Sequence, residues 1–184
     1  MSIYIENQLP VVKYHGINTQ KNCSFEGAMA LNAGGLTGIK PAVTASGGTA
    51  RTLLAADSGS LNKFDSAAGI TYTLPSPVVG LQYDFITTVL QTSSAHVVIT
   101  SGAGIYLLGA IAMFSGNDVT PSATLGPKMF LADGTSFVKY TSNGTTTGGG
   151  IGTWLRFICL SSTQWFVNGV VKSPSGTIAT PFST

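Results

Sequence analysis

The sequence predicts an all-β protein: an antiparallel β-sandwich or barrel-like domain over residues 49–184, preceded by an extended N-terminal arm over residues 1–48. Three observations predict it. No segment of twelve or more residues places apolar positions at i, i+3, i+4 and i+7 with good helix formers between them. Short β-rich runs recur instead, each bounded by turn residues. Hydrophobic residues make up 43% of a 184-residue chain, enough to fill a real core.

The elements follow in order. "RTLLAA" is a run and "DSGS" a turn, in which Asp57 and Ser58 bond back to local backbone and Gly59 supplies a positive φ. "LNKF" is a second run and "DSAAG" a second turn, opened by Asp65 and Ser66. "ITYTL" alternates, with Ile70, Tyr72 and Leu74 on one face and Thr71 and Thr73 on the other. "PSPVVG" is a loop, because proline cannot serve a central ladder. "LQYDFITTVLQ" places Leu81, Tyr83 and Phe85 on one face and Gln82 and Asp84 on the other. "AHVVIT" and "IYLLGAIAMF" are further strands. "KMFLA" and "SFVKYT" flank an Asp133-Gly134 hairpin turn, and "SNGTTTGGGIG" is a flexible glycine-rich loop. "TWLRFICL" and "QWFVNGVV" form a hairpin around "SST", and Asn168-Gly169 makes another tight turn. The first 48 residues have β-prone patches with many interruptions, and "TASGG" (44–48) reads as a linker.

Charged residues make up only 9% of the chain, against about 25% in typical soluble domains. Interspersed charge keeps freely circulating proteins apart. A surface this poor in charge suits a protein packed against copies of itself or a larger partner. The net charge is +2 and no two of the nine Lys and Arg are adjacent, which argues against nucleic acid as partner. The longest apolar run, residues 103–114, is too short to span a membrane, and the N-terminus lacks the pattern of a signal peptide. Cys23 and Cys159 are read as reduced thiols, with Cys159 buried in a strand. With His15 and His96 they show no metal-ligand spacing, so no metal or cofactor is expected. Asn22 and Asn143 head glycosylation-type tripeptides that count as chance matches without a secretory route.

Asp57, Ser58, Asp65 and His96 are the residue types of an acid–nucleophile–base set, which needs mutual hydrogen-bond reach. Turn chemistry alone accounts for the first three. "GTTTGGGIG" lacks the lysine of a phosphate loop and fails G-x-G-x-x-G, because Thr153 stands at the third glycine. Trp154, Trp165, Tyr83 and Phe157 are the material of a sugar-stacking platform or of a core. No catalytic residue is expected.

The block "ARTLLAADSGSLNKFDSAAGITYTLPSPVVGLQYDFI", with "SSAHVVIT", "NGTTTGGGIGTWLRFICLSSTQWFVNG" and the terminal "ATPF", resembles a recurring type of tailed-bacteriophage virion protein. In that type L-x-x-x-x-S-G, here Leu53 to Gly59, precedes D-x-A-x-G-x-x-x-x-L-P-x-P-x-x-G-L-x-[FY]-x-F. The second motif is carried by Asp65, Ala67, Gly69, Leu74, Pro75, Pro77, Gly80, Leu81, Tyr83 and Phe85. The likeness covers residues 49–182 and is strongest over 52–86 and 143–168. It implies a structural role without an active site. The small size and the lack of a long shaft imply a head decoration (cement) protein: a homotrimer made in the host cytoplasm and seated on the capsid exterior, with the major capsid protein as partner. Related segments in tail and fibre proteins imply a tail-associated adhesin as the alternative. Physics, not the resemblance, singles out the arm: Ile3, Tyr4, Ile5, Leu9, Val11, Val12 and Tyr14 are expected to contact a neighbouring subunit.

Overall fold

The computed structural model describes residues 42–115, 126–174 and 177–184. They form two β-sheets around one core. The early strands are short: β1 Val43–Thr44, β2 Ala50–Thr52, β3 Leu61–Phe64, β4 Thr71–Thr73, β5 Gln82–Thr87 and β6 His96–Ile99. The later ones are longer: β7 Tyr106–Ser115, β8 Lys128–Asp133, β9 Lys139–Ser142, β10 Trp154–Ser161 and β11 Gln164–Ser173, closed by β12 Phe182–Ser183. One sheet runs β1-β3-β5-β10-β11-β7-β8 and the other β12-β9-β6-β4-β2. Among the described residues the only helical turn is a 3₁₀ segment, Ala55–Asp57, so "RTLLAA" is strand only as far as Thr52.

The sheets are mixed, and this corrects the antiparallel expectation. From β1 to β6 the chain changes sheet at every strand. It returns one position further along, so β1-β3-β5 and β2-β4-β6 are parallel neighbours. Parallel strands need a crossover connection, and here the opposite sheet provides it. The later pairs β5-β10, β10-β11, β7-β8, β6-β9 and β9-β12 are antiparallel, and β11-β7 is parallel over ten residues. Val43–Thr44, within the segment assigned to the arm, pairs with Leu61 and Asn62 and so belongs to the sheet.

Alternation sets the core. Ile70, Tyr72 and Leu74 are buried, as are Tyr83 and Phe85, while their intervening neighbours are half-buried on the other face. Aromatic rings fill the space between the sheets: Tyr72 meets Phe64 at 5.4 Å and Phe85 at 5.2 Å, and Phe85 meets Phe157 edge-on at 5.5 Å. The phenol of Tyr72 donates to the Lys63 carbonyl at 2.7 Å and that of Tyr83 to the Leu54 carbonyl at 2.9 Å, so each buried ring keeps its polar end satisfied. Burial pushes both phenols up to about 12. Cys159 is a buried free thiol on β10, and Cys23 lies outside the described residues.

Two expected turns are not what they looked like. Asp133-Gly134 does not join a hairpin, because β8 and β9 lie in different sheets. Asp133 Oδ1 accepts the Thr135 and Ser136 amides at 2.9 and 2.8 Å, and Gly134, at φ 78°, sends the chain across. Those backbone bonds hold the Asp133 carboxyl down at about 2. Asn168-Gly169 lies inside β11, opposite Arg156 and Leu155. Glycine is required there by space: a Cβ would stand 2.3 Å from the Trp154 carbonyl oxygen. The hairpin of β10 and β11 around Ser161 and Thr163 is as expected, with an irregularity between Cys159 and Ser161.

Candidate interaction surface

The residues that could have made an acid–nucleophile–base set are each committed elsewhere. Asp57 Oδ2 accepts the Leu54 amide at 3.0 Å and faces Arg51 at 3.5 Å. Ser58 Oγ accepts the Gln82 amide at 3.1 Å. The Asp65 carboxylate accepts the Ser46 amide at 3.3 and 3.4 Å and lies 3.9 Å from Lys63 Nζ, so it ties down the chain ahead of β2 rather than its own turn. Burial raises the Asp65 pKa, but the bonds to Ser46 and the charge of Lys63 together outweigh it and hold the carboxyl below its ordinary value. His96 is wholly buried on β6, and its Nδ1 accepts the Ile70 amide at 3.1 Å. A triad histidine donates from Nδ1 to a carboxylate. Here Nδ1 is an acceptor, so the neutral ring carries its proton on Nε2. Among the described residues no group of three His, Cys, Asp or Glu could hold a metal ion, and no helix is long and apolar enough to cross a membrane.

The glycine-rich segment is packed, which corrects the expectation of a flexible loop. Gly148, Gly149 and Gly150 are buried. A Cβ on Gly149 would stand 2.5 Å from Gln91 Oε1, and one on Gly150 2.8 Å from the Lys172 carbonyl oxygen. Gln91 is the staple. Its Nε2 donates to the Ser142 carbonyl at 3.0 Å and also to the Ser94 carbonyl, and its Oε1 accepts from Ser142 Oγ at 2.8 Å. Its own amide donates to the Gly149 carbonyl at 3.1 Å. Asn143 Oδ1 closes the other end, accepting the amides of Thr145, Thr146 and Thr147. Gln91→Ala should therefore destabilise the fold by about 2 kcal/mol, the cost of buried polar groups left unmatched. The measurement is the urea midpoint, and an unchanged midpoint would show that the segment is held by other contacts. Beside it, Leu90, Ile151, Pro174 and the Lys172 stem line a shallow recess of about 300 Å³.

Of the four aromatics that could have stacked on sugar, Trp165, Tyr83 and Phe157 are core residues. Trp154 alone points outward, half-buried, with the Arg156 guanidinium 5.3 Å from its ring.

What the structure does expose is the outer face of the seven-stranded sheet. Its register aligns Met129, Ala112, Val170, Trp154 and Ile86 in one row across the strands. The next row is Leu131, Ala110, Asn168, Arg156 and Asp84. A third brings Leu108, Phe166, Ile158 and Gln82 together. Arg156 and Asp84 stand directly opposite and form a bidentate pair at 2.7 and 2.9 Å, which neutralises the charge at the centre of the face. Towards β8 the face is apolar and open: Leu131 is 70% exposed, Met129 62%, Val170 47%. Phe114 and Leu160 are exposed on the same face as well.

The arm residues Ile3, Tyr4, Ile5, Leu9, Val11, Val12 and Tyr14 lie outside the described residues. Sequence reading missed Met129 and Leu131. The available signal was a strand whose centre, "MFLA", has no charge on either alternating face. No protein-family model, curated protein or solved structure matches the chain.

Proposed function

We propose that the chain is a non-enzymatic structural protein of a tailed-phage particle, a head decoration protein that binds the outer surface of the major capsid lattice and stabilises the head. The observation that supports this reading is the open apolar face of the large sheet on a chain of 9% charge. A face that is apolar towards β8 and neutral at its centre suits burial against a large partner. Depletion of charge at the core of an interface is its compositional mark. Affinity does not follow from area alone, and many symmetric copies make a modest contact collective.

The test is quantitative mass spectrometry of purified virions. A copy number between one per capsid subunit and one per few is expected. A handful of copies per particle would move the protein to the tail, and its absence would overturn the reading. Removing residues 1–14 is expected to abolish binding to undecorated shells while leaving the β-domain folded; full occupancy by the truncated chain would rule out the arm as the anchor. A tail-associated carbohydrate-binding role is the second reading, supported by Trp154 beside Arg156 on the open face. Glycan binding lost in Trp154→Ala would favour it.

A further inference from the structure

β8 closes the seven-stranded sheet, and among the described residues no strand pairs with its outer edge. The ladder to β7 fixes which backbone groups that edge presents. The Gly134 amide donates to the Leu107 carbonyl at 2.8 Å, so Gly134 and Leu107 occupy a hydrogen-bonded position. In an antiparallel ladder such positions alternate. Those of β8 that bond to β7 are therefore Lys128, Phe130 and Ala132, opposite Met113, Ile111 and Gly109. The amides and carbonyls of Met129, Leu131 and Asp133 point outward instead. Natural edges are guarded by charge, proline or a bulge. Here Pro127, Lys128 and Asp133 guard the ends, and the four residues between are uncharged.

We infer that this edge pairs with β8 of a second copy, antiparallel and across a two-fold axis through Leu131. The register follows from the geometry. Only with Leu131 opposite Leu131 and Met129 opposite Asp133 do all three outward-facing residues of each strand fall at hydrogen-bonded positions. Six backbone bonds then form, and the faces match: outer side chains meet outer ones. Charge favours the same orientation. An antiparallel pair keeps Lys128 and Asp133 of one copy away from their counterparts in the other, whereas an in-register parallel pair would set like charges side by side. The contact joins one edge to another and leaves the sheet face free for a larger partner. It is smaller than the roughly 1,200 Å² at which stable interfaces begin. It is accordingly weak in solution and is strengthened where copies are held side by side.

The experiment uses the full chain carrying Cys23→Ser, leaving only the buried Cys159 thiol. Leu131→Cys and, as control, Leu160→Cys, exposed on the same face but three strands in from this edge, are treated with a short bismaleimide. The expected result is a species of doubled mass on a denaturing gel for Leu131→Cys alone. In sedimentation velocity, Leu131→Lys should lose the concentration-dependent association of the parent chain with its melting temperature unchanged, because like charges then meet on the axis. Equal cross-linking at 131 and 160, no cross-linking at either, or unaltered association of Leu131→Lys would each overturn the edge pairing. None of these outcomes depends on whether the protein sits on a capsid.

Discussion

Gly109→Ala is expected to cost on the order of 4 kcal/mol or more, the range reached only through a named structural fault. Gly109 lies in the middle of β7 at φ 138°, a conformation that side chains rarely adopt. A Cβ built there stands 2.1 Å from the Val167 carbonyl oxygen and 3.1 Å from Phe166 Cε2. The first of these is backbone of β11, so no side-chain rotation relieves it. The ladder it would wedge apart is the ten-residue pairing of β7 with β11, which holds Leu107, Ile111, Trp165 and Val167 in the core. A domain of this size loses about 2–4 °C of melting temperature per kcal/mol, so a drop of about 10 °C or more is expected, or failure to fold. Gly102→Ala is the control. Its nearest neighbour would be the flexible Ile105 Cδ1 at 3.9 Å and its φ is ordinary, so it should be neutral or slightly stabilising. Equal melting temperatures for the two variants would show that β11 can move aside.

Gly109 also shows where the sequence was legible and where it was not. Alternation is a local signal, and of the six residues it marked as core, Ile70, Tyr72, Leu74, Tyr83 and Phe85 are buried, while Leu81 packs half-buried against them. The hairpin of β10 and β11 was equally local. The partner of a parallel strand is not: β2, β4 and β6 pair across gaps of about twenty residues, and nothing in "ART", "TYT" or "HVVI" states which strand lies beside which. Glycine was ambiguous for the same reason. After Asp133 it turns the chain between sheets, after Asn168 it makes room for β10, and at 148–150 it lets the loop pack on Val171, Gln91 and Lys172. All three look alike when only the chain neighbours are visible. The open face at Met129 and Leu131 was hidden because exposure depends on what the opposite sheet covers.

Stability should fall as the pH drops from about 6.5 to about 4, and His96 should account for about 3 kcal/mol of that loss. The ring is wholly buried, stacked on Phe64 at 4.6 Å, with Nδ1 accepting the Ile70 amide. Burial lowers its pKa to about 4, against a smaller opposing pull from Asp65, whose own charge is shared with Lys63. The unfolded chain returns the ring to its ordinary value of about 6.5. Between those two values the unfolded state takes up a proton that the native state refuses, so stability rises with pH there. Above about 6.5 both states are neutral and the contribution is complete; below about 4 both are charged and the loss levels off. The slope is about 1.4 kcal/mol per pH unit. Protonation also removes the acceptor of the Ile70 amide, which anchors the start of β4 against β6. Urea unfolding at pH 7.5, 6, 5 and 4 reads the effect. His96→Asn keeps an acceptor near Nδ1 and cannot titrate, so it should be less stable at pH 7.5 yet lose the slope between pH 6 and 4. Every other ionisable group is common to the two proteins, so the difference between the two curves belongs to position 96. Parallel curves across that window would mean the ring does not stay neutral in the folded protein.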